Sequence, residues 1–508
     1  MFNLLSLNFL IFSPILAAAI ISSPLFGTNP IYIRRFAKTC ATLHFLYSLL
    51  FIVFYNFGVE SFYEEINVFG SGWLSKLGIN AAFGLDGLTV ILTAVTSFVF
   101  LIALVSSKTI IRTKHKMYYS LMFLLLSAVL GIFCSKDMFV FLIFWEAELI
   151  PMYLLISQWG TDNSKYSAMK YLLSAFAGSI FLLLSMLGLF FYGYHANGEL
   201  SSTIDFLRVS MTDGIFPVFI KEFLFWGFFI GFAVKIPVIP LHTWLPSAQS
   251  NSAVPVSMIL SAIISNTGAY GIIKFNLSLF PELFIKYAPI IMVLAVINII
   301  WAALCAYKQK DIKKLIGYSC IVYMGLFLLG LSSLTKAGIN GACFIMMAHA
   351  FISSALFLIS GLIYQATKTK NLQELSGLGK SMPVLMYLTY IVSFAAIGIP
   401  FTIGFPAEIL VFAGAFSADF EFSGMFPKVL TLIAMLIIVL STVYILKLFH
   451  CVFCKTEYTE KKYHDISGHR LMCVSVICFC IILFGLFPDT IMSIYSNFTS
   501  LLMEILRG

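Results

Sequence analysis

Phe223-Leu224-Phe225-Trp226-Gly227-Phe228-Phe229-Ile230-Gly231-Phe232-Ala233-Val234 is an uninterrupted apolar run, and it ends in Lys235-Ile236-Pro237-Val238-Ile239-Pro240. Such a run belongs in lipid. Proline there removes a backbone donor and breaks the helix, and each freed carbonyl costs roughly several kcal/mol unless protein or water satisfies it. A second stretch repeats the arrangement: Gly398-Ile399-Pro400-Phe401-Thr402-Ile403-Gly404-Phe405-Pro406-Ala407-Glu408. Each break has a charge beside it, Lys235 in one and Glu408 in the other. Broken helices in corresponding halves of a chain point to inverted repeats with an ion path between them. The alternative reading is a pair of proline kinks that serve packing alone.

The rest of the chain agrees with a membrane setting. Of its 508 residues, 60% are hydrophobic and only 11% charged, too few to coat a soluble fold of this size. Apolar runs of about twenty residues recur along the length, each long enough to cross a hydrocarbon core of roughly 30 Å. Hydropathy predicts an all-α polytopic membrane protein of about fourteen transmembrane helices and no strands. The breaks fall in the seventh and twelfth, five apart, as two inverted five-helix repeats require. The expected divisions are an N-terminal three-helix segment over 1–116, repeats over 117–276 and 284–452, and a loop with the last helix over 453–508. The stretch from Leu4 to Phe26 lacks a basic leader and a small-residue cleavage site, so it is expected to remain as a span.

Loop charges give an orientation. Arg34, Arg35 and Lys38 share one side with Lys108, Arg112, Lys114 and Lys116, and with Lys308, Lys310, Lys313 and Lys314. Lys368, Lys370 and Lys380, then Lys455, Lys461, Lys462 and Arg470, continue the series. Intervening loops are acidic: Glu60, Glu64 and Glu65; Glu199, Asp205 and Asp213; Asp419 and Glu421. The positive-inside rule puts the basic loops in the cytoplasm or matrix and both termini on the opposite, periplasmic or intermembrane, side. The basic excess is thus accounted for without nucleic acid.

Ionisable residues at bilayer depth cost about 2.5–3.5 kcal/mol each even on a lenient scale, so they are functional by default. Glu146 and Glu148 lie in the run from Phe139 to Ile156, Lys235 at the first break, and His349 within Phe344 to Ile359. Glu408 sits beside the second break, and Lys447 with His450 lies in the span before the last basic loop. If Glu146 approaches Lys235, withdrawing it would release a proton from the lysine, which makes a switchable donor for a pump. A static ion pair that fixes packing is the other reading. Glu148, two positions on, occupies a different helix face and could be interfacial.

Seven cysteines (Cys134, Cys305, Cys320, Cys343, Cys473, Cys478 and Cys480) fall inside apolar runs and read as packing residues. Cys451 and Cys454 with His464 and His469 imitate a zinc pattern. The gap to His464 is shorter than in a finger and Cys451 ends a helix, so no metal is expected. Dinucleotide and iron–sulfur signatures are absent, so no redox chemistry is expected on this chain.

Phe144-Trp145-Glu146-Ala147-Glu148-Leu149-Ile150-Pro151-Met152-Tyr153 resembles the fifth span of the antiporter-like subunits of respiratory complex I. Phe232 to Pro237 and Leu241-His242-Thr243-Trp244-Leu245-Pro246 resemble the same family, as do Gly84-Leu85-Asp86-Gly87, Asp311 to Ser319 and Gly485 to Asp489. Glu408, a lysine in sister subunits and in multi-subunit sodium/proton antiporters, makes the chain most similar to the subunit 4, or chain M, branch. The resemblance implies proton translocation driven by quinone reduction elsewhere, with NADH, FMN, iron–sulfur clusters and quinone on partner subunits. It implies that Glu146 modulates Lys235, that His349 lies on a central hydrophilic axis, and that Glu408 ends the relay. Sister antiporter-like subunits and lipid are the implied partners. Glu148, Asn266, Tyr323 and Lys447 are accessory candidates.

Some positions depart from the family. The lysine of the eighth span is Asn266, which cannot hold a proton at physiological pH. The loop Asp and His after Leu245-Pro246 are Ser247 and Gln249, and a histidine of the tenth span is Tyr323. Three readings follow: a proton-pumping subunit, a cation/proton antiporter or hydrogenase subunit, and a structural subunit that no longer conducts.

Overall fold

The structure is a computed structural model that describes residues 6–56, 62–66, 78–161, 163–197, 201–212, 217–420, 424–454 and 463–507. Residues 4 and 5 of the first expected span, and the loop charges Glu60, Glu199, Asp213, Glu421, Lys455, Lys461 and Lys462, lie outside the described residues.

Among the described residues, 11 helices are long and apolar enough to cross a membrane. Three more passes have shorter helices: Leu7–Ser22, and the two broken ones, Val218–Lys235 with Trp244–Asn251 and Pro383–Ile397 with Gly404–Phe416. The eighth pass (Val254–Leu277) and the eleventh (Lys336–Thr367) are buried along their whole apolar window, with the third (Gly87–Thr109) and the tenth (Ile312–Ser332) nearly so. The second (Pro30–Tyr55) and the last (His469–Leu486) form the rim and leave large side chains toward lipid. A helix apolar all round can be enclosed by others, and the fully buried passes are of that kind.

Both breaks are satisfied by protein. At the first, Pro237 cannot donate to Ala233, and the Ala233 carbonyl instead takes the Val238 N–H at 2.9 Å. The Val234 carbonyl is reached by the indole N–H of Trp244 at 2.8 Å. The Ile239 N–H donates to Asn298 Oδ1 at 3.0 Å, and Asn298 Nδ2 donates to the Ile321 carbonyl at 3.1 Å. At the second, Pro400 leaves the Ala396 carbonyl without its helical donor, and the Tyr323 hydroxyl donates to it at 3.3 Å. Asn298→Leu should therefore strand a buried N–H at the first break. The expected loss is about 1–3 kcal/mol of stability, read as earlier thermal dissociation of the detergent-solubilised protein. Asn298→Asp should lose at least as much, because it buries a carboxylate and sets an oxygen against the Ile321 carbonyl.

The absence of strands expected from the sequence is corrected by a two-stranded antiparallel hairpin, Phe62–Ile66 (β1) on Ala81–Leu85 (β2). Five-residue strands are too short for periodicity to betray them. The hairpin leads into Asp86, which caps the third pass through reciprocal bonds with Thr89 at 3.0 and 2.7 Å. A further helix, Asp489–Arg507, follows the last pass and was also not foreseen. It buries Ile491, Ile494, Tyr495, Thr499 and Leu502 along one stripe, the pattern of a helix lying on a surface.

Candidate proton relay

The fifth pass is interrupted at Glu148, which closes the helix Met138–Ala147 and opens Leu149–Trp159. Phe141, Trp145, Leu149, Met152 and Ile156 form its buried face, and Glu148 falls on that face with no exposed surface. Glu148 Oε2 lies 2.9 Å from Lys235 Nζ, and the lysine is 1% exposed. Here the structure corrects the expected pairing: Glu148, and not Glu146, bonds Lys235. Glu146 is half-buried beside Ile143 and Ile150, both exposed, although it stays within electrostatic reach of the pair. The apolar spacing of 141, 145, 149 and 152 places 148 on the same face, and that signal was available in the sequence.

The surroundings hold the pair in place. Tyr171 donates to Glu148 Oε1 at 3.3 Å. Lys235 Nζ sits 3.5 Å from the centre of the Trp145 ring, a close cation–π contact. Trp145 is fixed by its N–H to Ser179 Oγ at 3.2 Å and by Phe232, edge-on at 5.4 Å. Phe141, Phe228, Phe232 and Phe275 pack beside them and exclude water, which strengthens the charges' mutual attraction. No motif in the sequence indicated Tyr171 or Ser179.

The eighth pass comes closest to the pair at Gly268. A Cβ there would stand 3.0 Å from Lys235 Cβ and 2.9 Å from Ile236 Cγ1. Gly268→Val should force the pass away from the lysine at a cost of about 1–3 kcal/mol, visible as lowered transport in protein that still assembles. Gly268 lies in Ser265–Gly271, an α-helical turn flanked by π-helical stretches Leu260–Ile264 and Ile272–Leu277. Such irregularities inside helices recur at functional sites.

Asn266 lies two residues earlier on the same pass and donates to the carbonyls of Ala262 at 2.9 Å and Met346 at 2.7 Å. Its Oδ1 is buried without a partner among the described residues. One turn beyond Met346, His349 is fully buried and neither ring nitrogen has a partner among the described residues. The hydroxyls of Ser265, Ser353 and Ser393 are likewise buried and without partners among the described residues. Tyr323 packs its ring 5.5 Å from that of His349 while its hydroxyl reaches the second break.

Glu408 is 8% exposed and accepts no hydrogen bond from the described residues; its carboxylate rests on Gly398. Tyr323 and Tyr444 are its electrostatic neighbours. Lys447 stands apart from this line. Its Nζ caps the end of the ninth pass (Pro281–Lys308) through the carbonyls of Tyr307 and Gln309, a favourable place for a cation. His450 is exposed.

The arrangement can therefore hold a proton on a buried lysine–carboxylate pair, on an unpaired imidazole and on a carboxylate, between two broken helices. Residues 135–448 match the family described as NADH:quinone oxidoreductase/Mrp antiporter, transmembrane. NADH-quinone oxidoreductase subunit M of Rickettsia conorii is 36% identical over 92% of each chain. NAD(P)H-quinone oxidoreductase chain 4 2 of Synechococcus sp. is 34% identical over 86% of this chain and 80% of its own length. Among solved structures, a chain of respiratory complex I from Thermus thermophilus superposes with TM-score 0.85 at 24% identity, covering 99% of this chain and 100% of its own. A chain of the Mrp complex from Dietzia superposes with TM-score 0.82 at 17% identity, over the whole of both. The chain belongs to the NADH:quinone oxidoreductase/Mrp antiporter transmembrane family.

Proposed function

We propose that this chain is a proton-translocating subunit in the membrane arm of an NADH:quinone oxidoreductase. The observation that carries the reading is the buried Lys235–Glu148 pair at the first break and the buried Glu408 at the second, with polar groups around His349 that lack partners among the described residues. Its curated relatives carry the oxidoreductase name over most of their length. In this scheme quinone reduction on partner subunits displaces Glu148 from Lys235. The lysine then yields its proton toward His349, and Glu408 passes a proton on. Glu146, at the outer edge of the same helix, adjusts the pair electrostatically. The halves 117–276 and 284–452 work as two inverted repeats, one around each break. NADH, FMN, iron–sulfur clusters and quinone reside on partners, which include sister antiporter-like subunits. The membrane is a bacterial cytoplasmic or mitochondrial inner one, with both termini on the side opposite the basic loops.

Native purification of the tagged chain in mild detergent tests the assignment. Co-migration of NADH:quinone reductase activity and iron–sulfur signals with the chain is the expected result. A band of membrane subunits without redox centres would favour the antiporter reading instead.

A further inference from the structure

The last pass (His469–Leu486) lies outside both proposed repeats, yet one of its faces follows the broken twelfth pass as far as the break. Cys478, Ile481 and Gly485 fall on that face at helical spacing. Cys478 Sγ donates to the Leu388 carbonyl at 3.7 Å, in the first half-helix, Pro383–Ile397. The Ile481 carbonyl takes the Ile403 N–H at 3.0 Å, at the break itself. A carbonyl inside a helix has a second lone pair to offer, but a foreign N–H reaches it only where the two backbones come close. Gly485 permits that approach: a Cβ there would stand 2.5 Å from Thr402 Cα and 2.7 Å from the Ile403 nitrogen. The hydrogen bond and the close approach thus meet on the same two residues of the break.

Those two residues lead into the second half-helix, Gly404–Phe416. Ile403 is its cap, is fully buried, and carries one of the donors that a helix start leaves without an internal partner. Gly404 and Glu408 are four apart and share a face of this half-helix. A Cβ on Gly404 would overlap the Ala395 carbonyl oxygen, and the Glu408 carboxylate rests on Gly398. The height and rotation of the half-helix therefore decide where that carboxylate lies, and its start is held by the last pass.

We propose that the last pass splints the second break, with Ile481 and Gly485 as positioning residues that hold Glu408 in its seat. The proposal deepens the relay reading and rests on it. At the first break the side chains of Trp244 and Asn298 reach the freed backbone groups. Here backbone meets backbone, so any side chain at position 485 must part the two helices.

The test uses native membranes containing the assembled complex. Dicyclohexylcarbodiimide dissolves in lipid and couples to protonated carboxyls, so mass spectrometry of the Glu408 peptide over a pH series gives the pH of half-labelling. Gly485→Ala should move that pH by about one unit or more and lower NADH-driven proton transport by about tenfold. Tyr323 and Tyr444, the electrostatic neighbours of Glu408, lie on the tenth and thirteenth passes and are not altered by the substitution. Gly361→Ala is the control: its Cβ would be as crowded, 2.5 and 2.7 Å from the Val254 methyl groups, but against the eighth pass. It should move neither quantity, although it lowers thermal stability. Equal shifts in the two variants overturn the splint. So do normal labelling and transport in Gly485→Ala while Glu408→Gln fails to pump, a result that leaves the relay standing. If Glu408→Gln itself pumps normally, the relay reading fails and the splint's part in transport with it. Should Gly485→Ala not assemble, Cys478→Leu decides. Pressing on Leu388 from the same face, it should also move the half-labelling pH, and an unchanged value overturns the proposal.

Discussion

Glu148→Gln should abolish most NADH-driven proton transport, whereas Glu146→Gln should reduce it only modestly. Glu148 and Lys235 are bonded at 2.9 Å with essentially no exposed surface. Removing one partner of such a pair leaves an uncompensated buried charge, at a cost of about 3–5 kcal/mol. The cost can be met by structural loosening or by loss of the lysine's proton, and either disables a relay that depends on reversible pairing. Glu146 is half-buried, so solvent or a neighbouring group screens its charge. The measurement is the pH gradient formed per NADH oxidised in membrane vesicles, with assembly followed on native gels. Equal losses for the two glutamine variants would show that the working carboxylate is not the one bonded here. Lys235→Ala with Glu148→Gln together should be less damaging to assembly than Glu148→Gln alone, because the orphaned cation is then gone.

At the second break, Gly398→Ala should impair transport nearly as strongly as Glu408→Gln. Gly398 has φ +80°, a region where other residues pay about 1–2 kcal/mol. A Cβ at that position would stand 2.9 Å from Glu408 Cδ and closer still to the carboxylate oxygen, so the side chain must leave its seat. Glu408→Gln keeps the shape and removes the proton carrier. The two variants are separated by stability: Gly398→Ala should also lower the thermal midpoint, while Glu408→Gln should not. A Gly398→Ala protein that transports at the normal rate would mean that the observed seat of Glu408 has no part in its work.

Much of the site was legible beforehand because a membrane makes charge conspicuous. Lys235, His349 and Glu408 each stand out against apolar surroundings, and the structure buries all three. Asn266 and Tyr323 stood out as substitutions; Asn266 bonds the Met346 carbonyl, one turn before His349, and Tyr323 touches the His349 ring. Lys447, conspicuous by the same reasoning, proved to be a helix cap at the membrane edge. Depth along a helix can be counted from sequence, but the direction a side chain faces also depends on which helices pack around it.

The hydropathy, the two proline pairs and the placement of charges determine by themselves a helical membrane protein with two broken helices, because lipid admits only helices and closed barrels, and apolar runs of about twenty residues fit the helix. The apolar spacing of the fifth pass puts Glu148 on its buried face, and tertiary structure alone brought that face to Lys235. Glu146 and Glu148 are two residues apart, about 200° around a helix, so they face nearly opposite ways and only one of them can turn toward Lys235. Glu148 and Lys235 are 87 residues apart, and nothing local couples them. The same holds for Trp244, Asn298 and Tyr323 as donors or acceptors at the breaks. The prolines dictate that orphaned groups exist; only packing supplies the particular side chains that reach them.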